Sequence, residues 1–174
     1  MKEIPLTRGY VSLVDDEDFA ALSAYKWHAK VHRNGKIYAI RNTPKPRGEQ
    51  PATLKMHRVI LGVVDGVLVD HENGDGLDNR RENLRAATSS QNQANRRVTS
   101  NQHGYKGVAF IGYTQNKGKR WTRRKPWKAS IAVEERLISL GYYLSPEEAA
   151  DAYDRGAVKY FGQFAATNAA LGLR

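Results

Sequence analysis

Apolar positions change period several times along the first half of the chain. In DDEDFAALSAYKW, Phe19 and Leu22, with Ala21 and Tyr25, recur at helical spacing behind the acidic run Asp15 to Asp18. Acidic side chains suit the positive end of a helix, so a helix is predicted there. The pattern then becomes strand-like. KWHAKVHRNGKIYAIRN sets Asn34-Gly35 between two such runs. Both turn residues tolerate positive φ, which predicts a hairpin with strands near 27–33 and 36–42. TPKPRGEQPAT, rich in proline, predicts a loop, and LKMHRVILG a short helix or an apolar strand. GVLVDHEN reads as a strand, GDGLDNRR as a turn-rich loop and NLRAAT as a second strand. Ser89 or Ser90 can then cap a helix in SQNQANRR. The order is strand, loop, strand, helix.

The polar stretch VTSNQHG marks a boundary at about 98–103, and the pattern beyond it differs. YKGVAFIGY, WKASIAV and RLISLGYY predict three strands. SPEEAADAYDRGAVKYFG predicts a helix, with Ser145 as cap, Pro146 at the first helical position and Glu148 three residues after the cap. Ala149, Ala150, Ala152, Tyr153 and Ala157 line one side of that helix, and most are small enough to let it approach a sheet closely. The expected class is α+β, with the chain divided into 1–50, 51–98 and 104–174. The first segment is a helix and hairpin that either contacts a partner or covers its neighbour.

Composition narrows the function classes. The 174 residues are 40% hydrophobic with a mean hydropathy of −0.65, and no apolar run approaches the roughly 18 residues of a membrane span. MKEIPLTRGY has no apolar run after its lysine, so no secretory signal is expected there. Zero cysteines exclude disulfides, zinc ribbons and thiol nucleophiles, and fit a reducing compartment. The net charge of +10 and pI near 9.9 favour polyanionic partners. The charge is also concentrated. Arg96, Arg97, Lys106, Lys117, Lys119, Arg120, Arg123, Arg124, Lys125 and Lys128 fall in one interval without Asp or Glu, and Trp121 and Trp127 lie inside it. An unmixed basic run of this kind is the footprint of a nucleic-acid contact.

Candidate chemistry gathers in LVDHENGDGLDNRRENLRAATSSQNQAN. His28, His32 and His103 take the ordinary reading of hydrogen-bonded structural histidines. His71 differs because it directly follows Asp70 at the end of an apolar run that can hold both side chains. Phosphodiester hydrolysis needs a deprotonated water, a stabiliser of phosphoryl charge and help for the departing 3′ oxygen. Imidazole can take the proton near neutral pH. A divalent cation on oxygen ligands supplies the other two. Read from His71, the same stretch nearly satisfies a calcium-loop template, with Asn73, Asp75, Gly76 and Glu82 in place. Position one is a histidine rather than a carboxylate, the preceding residues read as a strand, and Arg80 and Arg81 oppose a dication.

The segment MHRVIL…LVDHENGDGLDNRRENLRAATSSQNQANR resembles the HNH endonuclease family, in particular its homing and phage-encoded branch. The resemblance covers residues 56–96 and implies a ββα-metal fold, which agrees with the strand, loop, strand, helix order. It implies that His71 is the general base, that Asn83 braces the loop and helps orient the histidine, and that Asp70 and Asn92 hold one divalent ion. Asn92 stands where many relatives carry histidine, an H-N-N variant that favours Mg2+, or Mn2+, over zinc. His57 and Arg58 match the family's His-Arg pair, with backbone contact to DNA and anchoring of the apolar segment both open for them. Arg80, Arg81 and Arg85 are candidates for gripping phosphates, with surface ion pairs as the alternative.

From Tyr105 onward, YKGV…WKASI…LGYYLSPEEAADAYDRGAVKYFGQFAATN is similar to the plant APETALA2/ethylene-response-factor DNA-binding domain. That resemblance implies a three-stranded antiparallel sheet docked on double-stranded DNA with one helix packed behind it. The first strand departs from the family, having Lys106 but then Ala109 and Ile111, and the basic residues sit in TQNKGKRWTRRKP instead. The candidate contacts are Arg96, Arg97, Lys106, Arg120, Arg123, Arg124, Lys125 and Lys128, with Trp127 divided between core packing and sugar contact. Together the two resemblances imply a site-specific, metal-dependent DNA endonuclease that leaves 5′ phosphate and 3′ hydroxyl, acting as a monomer that nicks one strand, in the cytoplasm of a bacterial or phage-infected cell. The alternative is a non-catalytic DNA-binding regulator that retains the HNH scaffold.

Overall fold

The computed structural model describes residues 1–44, 50–96, 103–116 and 119–173, with the strand backbone alone for 113–116 and 119–122. Helices mix with several small antiparallel sheets, in two units, Met1–Thr88 and Ser89–Arg174. No helix among the described residues is long and apolar enough to cross a membrane.

In the first unit, β1 (Lys2–Pro5) pairs antiparallel with β2 (Val11–Val14), and α1 (Asp16–Ser23) follows with Asp16, Glu17 and Asp18 in its first turn. β3 (His28–Val31) and β4 (Ile37–Asn42) form the hairpin expected around Asn34-Gly35, and Gly35 takes φ 78° there. β5 (Thr53–Lys55) adds to the other edge of β4. LKMHRVILG resolves into a helix, α2 (Met56–Leu61), which ends on the left-handed Gly62. β6 (Leu68–His71) then pairs antiparallel with β7 (Leu84–Ala87).

One core joins these pieces. Ile4, Leu6, Val14, Leu22, Trp27 and Ala39 pack in the same cluster as Met56, Ile60 and Leu84. The segment expected as a separate piece, residues 1–50, therefore shares its interior with β6 and β7. An isolated two-stranded ribbon is marginal in water, so β1–β2 requires the apolar side chains it shares with α2 and β7 in this core. Met56 is fully buried, and a side chain of that size contributes about 1.5–3 kcal/mol by leaving water.

In the second unit, α3 (Ser89–Ala94) is followed by β8 (Val108–Phe110), β9 (Tyr113–Asn116), β10 (Lys119–Thr122), β11 (Trp127–Val133), β12 (Arg136–Tyr143) and α4 (Pro146–Phe161). β8, β11 and β12 make a three-stranded antiparallel sheet with β11 central, while β9 and β10 pair as a separate ribbon where only a loop was expected. Ala149, Ala150 and Ala152 of α4 pack on Val108 and Ala129. The helix starts as its sequence predicts: Ser145 Oγ accepts from the Glu148 amide at 3.2 Å, and Glu148 Oε2 accepts from the Leu144 amide at 3.1 Å. Gly107, at φ 73°, lies against the Tyr153 ring so closely that a Cβ would stand 1.9 Å from it.

A buried polar network closes this unit. Asn168 Oδ1 accepts from the Lys106 amide at 2.6 Å, and its Nδ2 donates to Asp154 Oδ1 at 2.8 Å. Lys106 Nζ donates to the Ala94 carbonyl at the end of α3, and Ser90 Oγ accepts from the Glu134 amide at 3.2 Å. These bonds explain why α3 groups with the sheet and α4 rather than with β6 and β7, as the 51–98 division expected. Most of the expected boundary at 98–103 lies outside the described residues.

Candidate active site

The pairing of β6 with β7 sets the site's first side chains. Asp70 lies directly across from Arg85, and His71 across from Leu84. The Arg85 guanidinium grips Asp70 Oδ2 from Nε at 2.9 Å and Nη2 at 2.8 Å. Between the strands, the chain from Glu72 to Asn83 is held by its own polar groups. Asn83 Oδ1 accepts from the Asn73 amide at 2.9 Å, and its Nδ2 donates to the Asp78 carbonyl at 2.7 Å. Asn73 Oδ1 accepts from the Asp75 amide, and Asp75 Oδ1 from the Leu77 amide. The oxygens that a calcium loop would turn toward an ion thus cap backbone amides. The loop is also tied to β2, through Leu13 N to Leu77 O at 2.9 Å and Asn79 N to Leu13 O at 2.8 Å.

His71 is 6% exposed. Its Nε2 lies 3.2 Å from Oδ1 of Asn79, a fully buried side chain whose Nδ2 donates to Ser12 Oγ at 2.7 Å. An amide oxygen only accepts, so Nε2 carries the proton and the lone pair is on Nδ1. Burial lowers the pKa of His71 most strongly, and Lys36 adds to the depression, while Asn79, Asp70 and Asp75 act in the opposite sense. The ring packs edge-on to His57 with centroids 5.0 Å apart, and Tyr38 lies 5.9 Å away. His57 is 5% exposed with its pKa pushed down to about 3, chiefly by burial, and its Nδ1 has no hydrogen-bond partner among the described residues.

Sequence reasoning brought Asp70, His71 and Asn83 to this place and missed the side chain that binds the histidine ring. That partner is Asn79, and its signal was the Asp-Asn pair within DNRRENLR. Ser12 and Tyr38, from the segment left as a possible cover, also build the surroundings of His71. Asn92 lies half-buried on α3, in the second unit.

The basic residues of the motif are not arranged as expected for phosphate contacts. Arg58 donates to the carbonyls of Val64 and Val67, fastening α2 to the chain before β6. Arg80 is held between Asp78 and Glu82, and Arg81 among Asp15, Glu17 and Asp18. A DNA phosphate approaching Arg81 would meet those carboxylates first. Arg85 is bound to buried Asp70, and leaving one partner of such a pair uncompensated costs roughly 3–5 kcal/mol. These four arginines are structural pairings here.

In the second unit Lys106 is also a correction. It is 6% exposed, burial pushes its pKa down to about 8, and its ammonium is engaged by Ala94. Trp127 is half-buried and packs against Phe110 at 4.9 Å and His103 at 4.7 Å, so packing accounts for the ring. Arg96, Arg124 and Lys125 are exposed, Lys128 is half-buried, and the Arg123 guanidinium lies 5.0 Å from the Tyr142 ring centre. Lys128 pairs across the sheet with both Tyr142 and Ala109, which puts it on one face with them. Tyr142 was not singled out from the sequence. Arg97 lies outside the described residues, and of Arg120 only the strand position is described.

This geometry can be set beside known proteins. Residues 55–94 match the HNH endonuclease family. Over 167 residues the chain is also 25% identical to an uncharacterized HNH endonuclease of Acanthamoeba polyphaga mimivirus, covering 92% of this chain and 76% of the relative. The family match begins at β5, takes in α2, β6 and β7, and ends on α3, so Asp70, His71, Asn83 and Asn92 all fall inside it. An HNH-type nuclease function is supported by both comparisons. The basic strands and α4 lie beyond the family match.

HNH endonucleases generally use a divalent metal. Among the described residues no group of three or more His, Cys, Asp or Glu is placed to hold one. The expected donors, a carboxylate from Asp70 and an amide oxygen from Asn92, are hard oxygens that fit Mg2+ or Mn2+ with water and phosphate completing the shell.

Proposed function

We propose that this chain is a site-specific DNA endonuclease of the homing type in which His71 is the general base. The observation that carries the reading is the bond between His71 Nε2 and buried Asn79, which puts the proton of the neutral ring on Nε2 and makes Nδ1 the basic nitrogen, while burial favours the neutral form. His71 Nδ1 takes a proton from water as the water oxygen attacks phosphorus. The bond from phosphorus to the 3′ oxygen breaks, its electron pair stays on that oxygen, and a solvent proton completes the 3′ hydroxyl, leaving a 5′ phosphate. Asn83 holds the loop that presents the ring. Asp70 and Asn92 are the residues that would hold a divalent ion, Mg2+ first and Mn2+ second, which supplies Lewis-acid stabilisation of phosphoryl charge.

Residues 104–174 are read as a duplex-binding module of the APETALA2/ethylene-response-factor kind, with Arg123, Arg124, Lys125 and Lys128 facing DNA, helped by Arg96 and, from the sequence, Arg97 and Arg120. The exposed charges, the Arg123–Tyr142 contact and the sheet with a helix behind it support that reading. One chain carries one His71, so a monomer nicks one strand.

A supercoiled plasmid library with random inserts tests the proposal. With Mg2+ the wild type is expected to convert a subset of plasmids to the open circle, sequencing is expected to place the nicks at one shared motif, and chelation is expected to stop the reaction. The 6% exposure of His71 gives the regulator reading a foothold. Retarded plasmid with no open circle in either Mg2+ or Mn2+ would favour that reading.

A further inference from the structure

The arginines within the HNH region are occupied by carboxylates and carbonyls, which raises the question of what holds the DNA backbone beside His71. The β3–β4 hairpin is built against the site. Ile37 O and the Tyr38 ring stand so close to Gly76 that a Cβ there would come within 2.3 Å and 2.7 Å of them. The Tyr38 ring also flanks His71, and His32 packs edge-on to Tyr38 at 5.4 Å. The turn of the hairpin and the loop after β6 enclose a cleft of about 350 Å³, lined on one side by Asn34, Gly35 and Lys36 and on the other by Gly74 and Asp75.

We propose that the tip of this hairpin is a phosphate subsite, in which Arg33 and Lys36 bind the backbone of duplex DNA beside the phosphodiester that faces His71. Both side chains are exposed, and neither takes part in an ion pair among the described residues. The turn fixes their place: Asn34 Oδ1 accepts from the Lys36 amide at 3.2 Å, and the Gly35 amide donates to the His32 carbonyl at 3.0 Å. Lys36 is close enough for its charge to act on the His71 ring. Asp75 is on the opposite wall with Oδ1 accepting from the Leu77 amide, so a phosphate belongs at the hairpin rim rather than at the floor of the cleft. Two cations on a short turn can bind phosphate without the desolvation that would be needed to free Arg85.

That subsite rests on the DNA-binding reading above, and its test does not require cleavage. The full chain is titrated with a fluorescent random-sequence duplex in chelator at several salt concentrations. Each phosphate contact contributes about 0.9 to the slope of log affinity against log salt. The double variant Arg33→Gln with Lys36→Gln is expected to bind roughly tenfold more weakly at low salt and to lose about 1 to 2 from that slope. Lys2→Gln, which removes one charge at a side chain whose ammonium lies over the Phe19 ring of α1, is the control compared per charge, and its slope is expected to stay near wild type. A double variant with the wild-type slope, or a Lys2 variant with a loss per charge equal to that of the hairpin residues, overturns the subsite alone. A wild type that binds no duplex overturns the DNA reading and the subsite together.

Discussion

Replacing His71 with alanine is expected to lower the nicking rate by about 10² to 10⁴-fold, the range of a lost general base, while duplex affinity stays within about twofold. The two properties separate because they depend on different groups. On the proposed reading, cleavage needs an imidazole lone pair at the water, whereas affinity is expected from cations on the second unit and the β3–β4 hairpin. Alanine also leaves a gap beside His57 and Tyr38, so His71→Gln, which fills more of that space without supplying a base, is the companion variant. Both are expected to be inactive, and both are expected to shift DNA like the wild type. Parallel loss of binding and cleavage in both variants would make His71 a packing residue.

Asn79→Asp is expected to move the pH dependence of cleavage in a defined direction. In the wild type, burial holds the His71 pKa below the ordinary histidine value. The base is therefore unprotonated through neutral pH, and the acid limb of the rate profile is expected below that value. A carboxylate in place of the Asn79 amide would bind the Nε2 proton of an imidazolium and favour the charged ring. An opposite charge at such a distance raises a histidine pKa by about 1–3 units. Protonation removes the base, so the acid limb is expected to move upward and the rate near pH 6 to fall while the alkaline plateau is retained. An unchanged limb would show that His71 is not the group titrating in catalysis.

Residue patterns make much of this molecule legible in the sequence. The Asn34-Gly35 hairpin, the strands WKASIAV and RLISLGYY, and the capped helix from Pro146 are all set by short-range rules, and all three appear as read. The partners of the charged residues were harder to read. Arg80, Arg81 and Arg85 look alike in the sequence, and their carboxylates come from Asp78, Asp18 and Asp70, two of them distant along the chain. Lys106 looked like one more cation in a basic run. Its burial depends on Asn168 and Ala94, which no local pattern links to it. Asn79 was hidden for a related reason. It reaches His71 across eight residues and is oriented by Ser12 from the far end of the unit. Residues 1–50 read as a separate piece in the sequence because their apolar positions, Ile4, Val14 and Trp27, have no visible partners until α2 and β7 are folded against them.

The most direct measurement is the protonation state of the ring itself, read by nitrogen NMR of protein labelled with ¹⁵N-histidine and assigned with His71→Gln. At pH 7 the His71 signals are expected to be those of a neutral imidazole protonated on Nε2, and to titrate only below the ordinary histidine range. A proton on Nδ1, or an imidazolium at neutral pH, would contradict the assignment of His71 as the base.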